Sequence, residues 1–214
     1  MVGRYAVDGS EGEYEPGSDE QVLRNLVGIA SPTDMNDLEL ELLNQLYQDV
    51  LINQLPDHTI TTDDLMTWHR RWLGNVYAWA GQVRQVTLSK DGFPFAAVPQ
   101  IPRLLAEYER DHLTRWTPCS RLSTNELIEA IAITHVEFIL IHPFREGNGR
   151  LSRLLADVMA VQAGHDPLDY RGWDARKPAY VGAIHAGFNG NYQPMRDFVA
   201  EALGDSPKGV SVPE

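Results

Sequence analysis

The chain has 214 residues, 43% of them apolar, with 30 acids against 18 lysines and arginines and a formal charge of -12. That length and apolar content fit one globular domain with an added arm and exclude a wholly disordered chain. The acidic balance argues against general DNA or RNA binding, which depends on neutralising phosphates.

Charge is uneven along the chain. Residues 1–49 hold 11 acids against Arg4 and Arg24 only, so the front is acidic and the remainder nearly neutral. Cys119 is the single cysteine, which excludes an internal disulfide. No apolar run approaches the roughly 18 residues of a membrane span. With no basic, apolar leader at the front, a cytoplasmic protein is expected.

Residues 1–30 read as an acidic arm: a loop rich in glycine over 1–20, then a short helix over 20–29 capped by Ser18 or Asp19. Whether this arm folds against the body is left open. Ser31-Pro32-Thr33-Asp34 is a helix start. From there Met35, Leu38, Leu42, Leu43, Leu46, Val50 and Leu51 recur at three- and four-residue spacings. This additional helix, within 31–57, reads either as plain packing or as a regulatory element.

A main domain is expected over 58–204. Thr61 or Thr62 caps a helix with Asp63 and Asp64 in its first turn and a bulky face of Leu65, Met66, Trp68, Trp72 and Leu73. Alternation over 84–88 and 93–95, about the turn Ser89-Lys90-Asp91-Gly92, predicts a β-hairpin with Pro94 on an edge. A helix over 101–114 follows. Ser123 or Thr124 starts the next helix, with Glu126 placed as a capping-box partner for Ser123; it is apolar on nearly all sides and is therefore the expected buried centre. Further helices are predicted over 148–162, 174–188 and 194–203, with Asn189-Gly190-Asn191 as the last turn and 205–214 as a flexible tail. The fold class is all-α with one small hairpin.

The chemistry concentrates in His142-Pro143-Phe144-Arg145-Glu146-Gly147-Asn148-Gly149-Arg150-Leu151-Ser152-Arg153, between two apolar helices. Gly147 and Gly149 allow a tight turn and close approach of a ligand. Successive amides entering a helix N-terminus make an anion site. Arg150 and Arg153, three apart, are expected on one face with forked donors for phosphate oxygens. Glu146 suits a hard cation such as Mg2+, and His142 suits a general base. The string lacks the P-loop and protein-kinase signatures, and it has no zinc-ligand spacing.

This string matches the signature His-x-Phe-x-Asp/Glu-Gly-Asn-Gly-Arg-x-x-Arg at every fixed position, and so resembles the Fic family. Trp79-Ala80-Gly81, Arg84 and the predicted hairpin are similar to that family's upstream region and target-docking flap. Tyr180 and Gly190-Asn191-Tyr192-Gln193-Pro194 look like its closing elements. The front resembles Fic proteins carried on mobile elements.

The resemblance implies a Fic-type helical bundle that transfers AMP from Mg-ATP to a serine, threonine or tyrosine hydroxyl of a target protein. His142 would be the base, Phe144 the core anchor of the loop and Glu146 the Mg2+ ligand. Gly147, Asn148 and Gly149 would form the anion-holding turn, and Arg150 and Arg153 would bind the triphosphate. Lys90, Asp91, Gly92 and Phe93 would be the flap tip that docks the target. Alternatives are transfer of UMP, phosphocholine or phosphate, removal of AMP by water, and a silent nucleotide-binding module. The family's inhibitory pattern, Ser/Thr-x-x-x-Glu-Gly/Asn, is not found. The nearest string, 31–36, has Met35 at the glutamate position. Inhibition then falls to a separate antitoxin-like partner, or to Asp34, Asp37 or Glu39, or is lacking.

Overall fold

Helix α1 (Pro32–Tyr47) begins as its sequence predicts: the Ser31 side chain accepts the Asp34 N–H, and proline occupies the first turn. Its buried stripe is Met35, Glu39, Leu43 and Leu46, so one acid stands among apolar residues. The helix runs on into a wider π-type turn, Gln48–Asn53. Helix α2 (Thr62–Leu73) opens on a capping box between Thr61 and Asp64 and ends at Gly74. These features belong to a computed structural model that describes residues 12–204 and the backbone of 6–8. The predicted tail, 205–214, lies outside the described residues.

The hairpin forms, with β2 (Thr87–Lys90) and β3 (Phe93–Pro94) joined through Asp91 and Gly92, both at positive φ. It starts later than alternation predicts, because Arg84 turns inward and leaves the ladder. It also gains a third strand. β1 (Ala6–Asp8) pairs antiparallel with β2 in the order β1-β2-β3, Val7 standing opposite Leu88.

After the hairpin come α3 (Ile101–Tyr108), a π-type turn over Glu109–Leu113 and the short α4 (Thr114–Trp116). Helix α5 (Thr124–Ile141) has the predicted capping box and is buried on most sides. It packs against α3, α6 (Asn148–Gln162), α8 (Lys177–Gly187) and α9 (Gln193–Gly204). It is the axis of the core, as its uniform apolarity implies.

Two further expectations change. Residues 20–29 are not helical. Gly17, Asp19 and Glu20 take positive φ and reverse the chain, so that the Glu15 N–H reaches the Val22 carbonyl at 2.8 Å and Val22 enters the core. The Leu26 N–H also donates to the Val76 carbonyl, so this acidic segment is fastened to the body. The helix predicted over 174–188 is two: α7 (Arg171–Ala175) ends before Arg176, and Pro178 opens α8. No helix among the described residues is long and apolar enough to cross a membrane.

Candidate active site

Helix α5 ends on His142, whose backbone is left-handed at φ 52° and ψ 61°. Its ring is buried, and Phe95 of the flap stacks on it at 3.7 Å. The Ile139 carbonyl lies 3.1 Å from Nδ1. A carbonyl only accepts, so Nδ1 carries the proton and the lone pair is on Nε2. Burial, aided by the Arg84 and Lys90 charges, lowers the pKa of this histidine to about 3. It is a neutral imidazole at neutral pH.

The loop from His142 to α6 is held by its own side chains. The Asn148 amide accepts the Phe144 N–H at 2.9 Å and donates to the Phe144 carbonyl at 2.8 Å, closing the turn. Phe144 is fully buried and stacks on His69 at 3.9 Å, nearly parallel. His69 accepts the Gly81 N–H at Nδ1, 2.8 Å, and so donates from Nε2 to the Glu146 carbonyl at 3.1 Å. Burial pushes its pKa down to about 4, which keeps this tautomer neutral.

Gly147 has φ 84°, and a Cβ there would lie 2.7 Å from the Trp72 ring. Glycine is required on both counts. A Cβ on Gly149 would meet nothing within 4 Å, so the backbone there borders open space. The N-cap residue of α6 is Gly147, which brings no capping side chain, and successive amides and the helix dipole there favour an anion. The Glu146 carboxylate sits beside it and accepts the Gly147 N–H at 2.9 Å.

The two arginines do not share surroundings, although they were expected on one face. Arg150 turns toward α1 and α2. It donates to the buried Glu39 at 2.6 Å, lies over the Trp72 ring at 4.5 Å and approaches Glu146 at 3.5 Å. Glu39 also accepts the Tyr77 hydroxyl at 2.7 Å, and its carbonyl accepts Trp72 Nε1–H at 2.9 Å. Arg153 turns toward α7. It donates to Asp174 at 2.7 Å and lies over the Tyr170 ring at 4.8 Å. Spacing of three leaves them about 60° apart around the helix axis, enough to meet different neighbours.

Of the acids considered as stand-ins for the missing inhibitory glutamate, Glu39 is the one that reaches a motif arginine, and that arginine is the first, Arg150. Sequence reasoning missed Asp174 and His69. The signal for Glu39 was its place in the α1 stripe, a charge at a core position. His69 lies four residues after the buried Leu65, and nothing in its sequence context separates it from any histidine on a packed face.

A cavity of about 460 Å³ lies beside this centre, lined by Phe93, Phe95, Glu137, Leu140, Phe188 and Tyr192 among others. Phe95 thus touches both the cavity and the His142 ring.

Together these features define a helical protein with a buried neutral histidine joined by a closed loop to an arginine-flanked, glycine-capped helix terminus, a set suited to phosphate chemistry. Residues 59–160 match the sequence profile of the Fic/DOC family, and through them the chain belongs to that family. It is 30% identical over 145 residues to "Protein adenylyltransferase fic-1" of Caenorhabditis briggsae, covering 67% of this chain but 27% of that protein. It is 28% identical over 179 residues to "Probable protein adenylyltransferase y4lH" of Sinorhizobium fredii, covering 81% of this chain and 87% of that one. In fold it is similar to the BepC protein of Bartonella tribocorum, a VirB-translocated effector crystallised with bound AMPPNP. That likeness has a TM-score of 0.68 at 24% identity, over 84% of this chain and 91% of that structure.

Proposed function

We propose that this protein is a protein adenylyltransferase that moves AMP from Mg-ATP to a serine, threonine or tyrosine hydroxyl of a target protein. The observation that carries the reading is the His142 ring, pinned at Nδ1 to the Ile139 carbonyl and followed within one closed loop by the α6 N-terminus. The curated relatives bear the same activity in their names.

His142 Nε2 takes the proton from the target hydroxyl. The oxygen attacks the α-phosphorus in line, and the bond to the bridging oxygen of pyrophosphate breaks. The α6 amides from Asn148 onward and Arg153 hold the leaving charge, which is where orientation and charge neutralisation act in phosphoryl chemistry. Arg153 suits this task because its partner Asp174 is 65% exposed and is readily exchanged for a phosphate. Arg150, tied to buried Glu39, contributes its field and steadies Glu146. One carboxylate suits Mg2+, a hard cation commonly bound through one or two protein carboxylates. Glu146 would hold the ion, which supplies further neutralisation of the phosphates. Phe144 anchors the loop.

The cavity supports adenine as the base. Its aromatic walls accept a flat ring, and the Glu137 carboxylate that takes the Tyr192 hydroxyl at 2.6 Å is an acceptor suited to an exocyclic amino group. The flap tip, Lys90, Asp91, Gly92 and Phe93, docks the target as an added strand. β1 already pairs with one edge of β2, and Pro94 lacks an N–H on the other strand. An incoming segment therefore competes with β1 or pairs sparsely with β3. Control by an antitoxin-like partner that delivers an acid to Arg153 completes the reading.

The test uses Mg2+, a cell lysate and ATP labelled at the α- or the γ-phosphate. Protein label from α-labelled ATP alone, lost in His142→Ala, is expected. Label from γ-labelled ATP alone would mean phosphorylation, and no protein label from either would refute transfer. Excess UTP should compete poorly with ATP if the base pocket is assigned correctly.

A further inference from the structure

We infer that Arg84 is a positioning residue that locks the flap and His142 into one unit; the inference rests on the transfer reading above. Arg84 is 2% exposed, an unusual place for a guanidinium. Its three nitrogens fan onto three backbone carbonyls. Nε donates to His142 at 2.7 Å, Nη1 to Val86 at 2.6 Å and Nη2 to Ala96 at 2.6 Å. Its own backbone N–H donates to the Pro143 carbonyl at 2.9 Å.

The placement of those carbonyls gives the fork its meaning. Val86 lies just before β2, and Ala96 lies two residues after β3, so the guanidinium grips both legs of the hairpin. The remaining acceptors, His142 and Pro143, begin the catalytic loop. The grip is reinforced by the Ala96 N–H, which donates to the Leu140 carbonyl at 3.3 Å, and by Phe95 on the His142 ring.

Two physical needs converge here. A non-glycine residue in the left-handed region, as His142 is at φ 52°, is strained and persists only where its surroundings over-determine it. The His142 carbonyl is also at the negative end of the α5 dipole, where a cation is favoured. A buried charge in turn needs its donors satisfied. Burial lowers the Arg84 pKa to about 10, which leaves it charged at neutral pH. Lysine supplies a point charge on a flexible stem and cannot span three carbonyls in one plane. Arg84 touches no reacting atom in this scheme; it sets the His142 ring and the Phe95 lid relative to each other, so movement of the flap on docking a target is transmitted to the base.

Arg84→Lys tests this in the full chain. The kcat for label transfer should fall about 10- to 100-fold, the scale of a base misplaced by an ångström, and the Kd for Mg-ATP should change by a smaller factor. Hydrogen exchange should quicken at the amides of residues 87–96 and remain slow in α5 and α6. In Arg84→Ala, added guanidinium ion should restore part of the kcat. Full kcat in Arg84→Lys would overturn the inference. So would faster exchange throughout the core with activity tracking the folded fraction, which is the signature of a merely structural role. If the wild type labels no protein, the transfer reading fails, whereas the exchange pattern still reports on the lock.

Discussion

Two sides of the first two turns of α6 carry the same side chain and treat it in opposite ways. Arg150 enters a closed network with Glu39, Tyr77, Trp72 and Glu146, and Glu39 is 4% exposed. Arg153 faces Tyr170 and a single acid at the surface, Asp174. A buried pair is hard to break because either partner alone is left charged in a poor solvent. A surface pair is nearly neutral in free energy. One arginine is thus built into the scaffold and the other is held only by an exposed acid, and the difference comes from the acids, not from the arginines.

Glu39→Ala should have the largest effect. It strands Arg150 and removes the acceptor of the Tyr77 hydroxyl, so urea unfolding should show a loss of about 2–4 kcal/mol. A loss as small as that of a surface pair would erase the contrast. Arg153→Ala should weaken Mg-ATP binding about 10- to 100-fold by calorimetry, the worth of a charge-assisted hydrogen bond, and change stability little. If Arg150→Lys instead weakens binding more than Arg153→Ala does, the assignment of roles is inverted.

Acid should loosen both sides at once. His69, near Arg150, and His135, near Arg153, have pKa values lowered by burial to about 4 and about 3, and His142 to about 3. Such groups bind more protons unfolded than folded. Their stabilisation is complete above the ordinary histidine pKa of about 6.5 and is lost as pH falls toward 4 and 3. Asp157 opposes this in part, since burial raises its pKa to about 6. Three histidines against one aspartate give a Tm that falls between pH 7 and pH 5, and a rising Tm would contradict the burial of these rings. Asp174→Asn should have the smallest effect, below about 1 kcal/mol in stability, with Mg-ATP binding unchanged or tighter because a competitor for Arg153 is gone.

Much of the fold was legible locally. The helix starts at 31–34, at Thr61 or Thr62 and at Ser123 or Thr124 were legible to within a residue or two, because a cap is satisfied within three residues. The central place of α5 followed from its all-round apolarity. Residues 20–29 misled, since their pattern permits a helix and only the left-handed Asp19 and Glu20, stabilised by pairing of Glu13 and Glu15 with later residues, exclude one. The break at Arg176 was hidden because Pro178 is tolerated in a first turn and so marks a start as readily as a stop. β1 was invisible: three residues without clear alternation become a strand because β2 offers an open edge.

By itself the sequence determined most of the helices, where several of them start, and the loop in which a histidine, an acid, two glycines and two arginines follow one another, since each depends on contacts within a few residues. Tertiary structure alone decided which acid meets which arginine, that Arg84 reaches the His142 carbonyl, and that Phe95 covers the ring. Helical periodicity sets the direction in which a side chain leaves its own helix. What it finds there is supplied by segments as distant as Glu39 from Arg150, 111 residues apart, and is settled by packing.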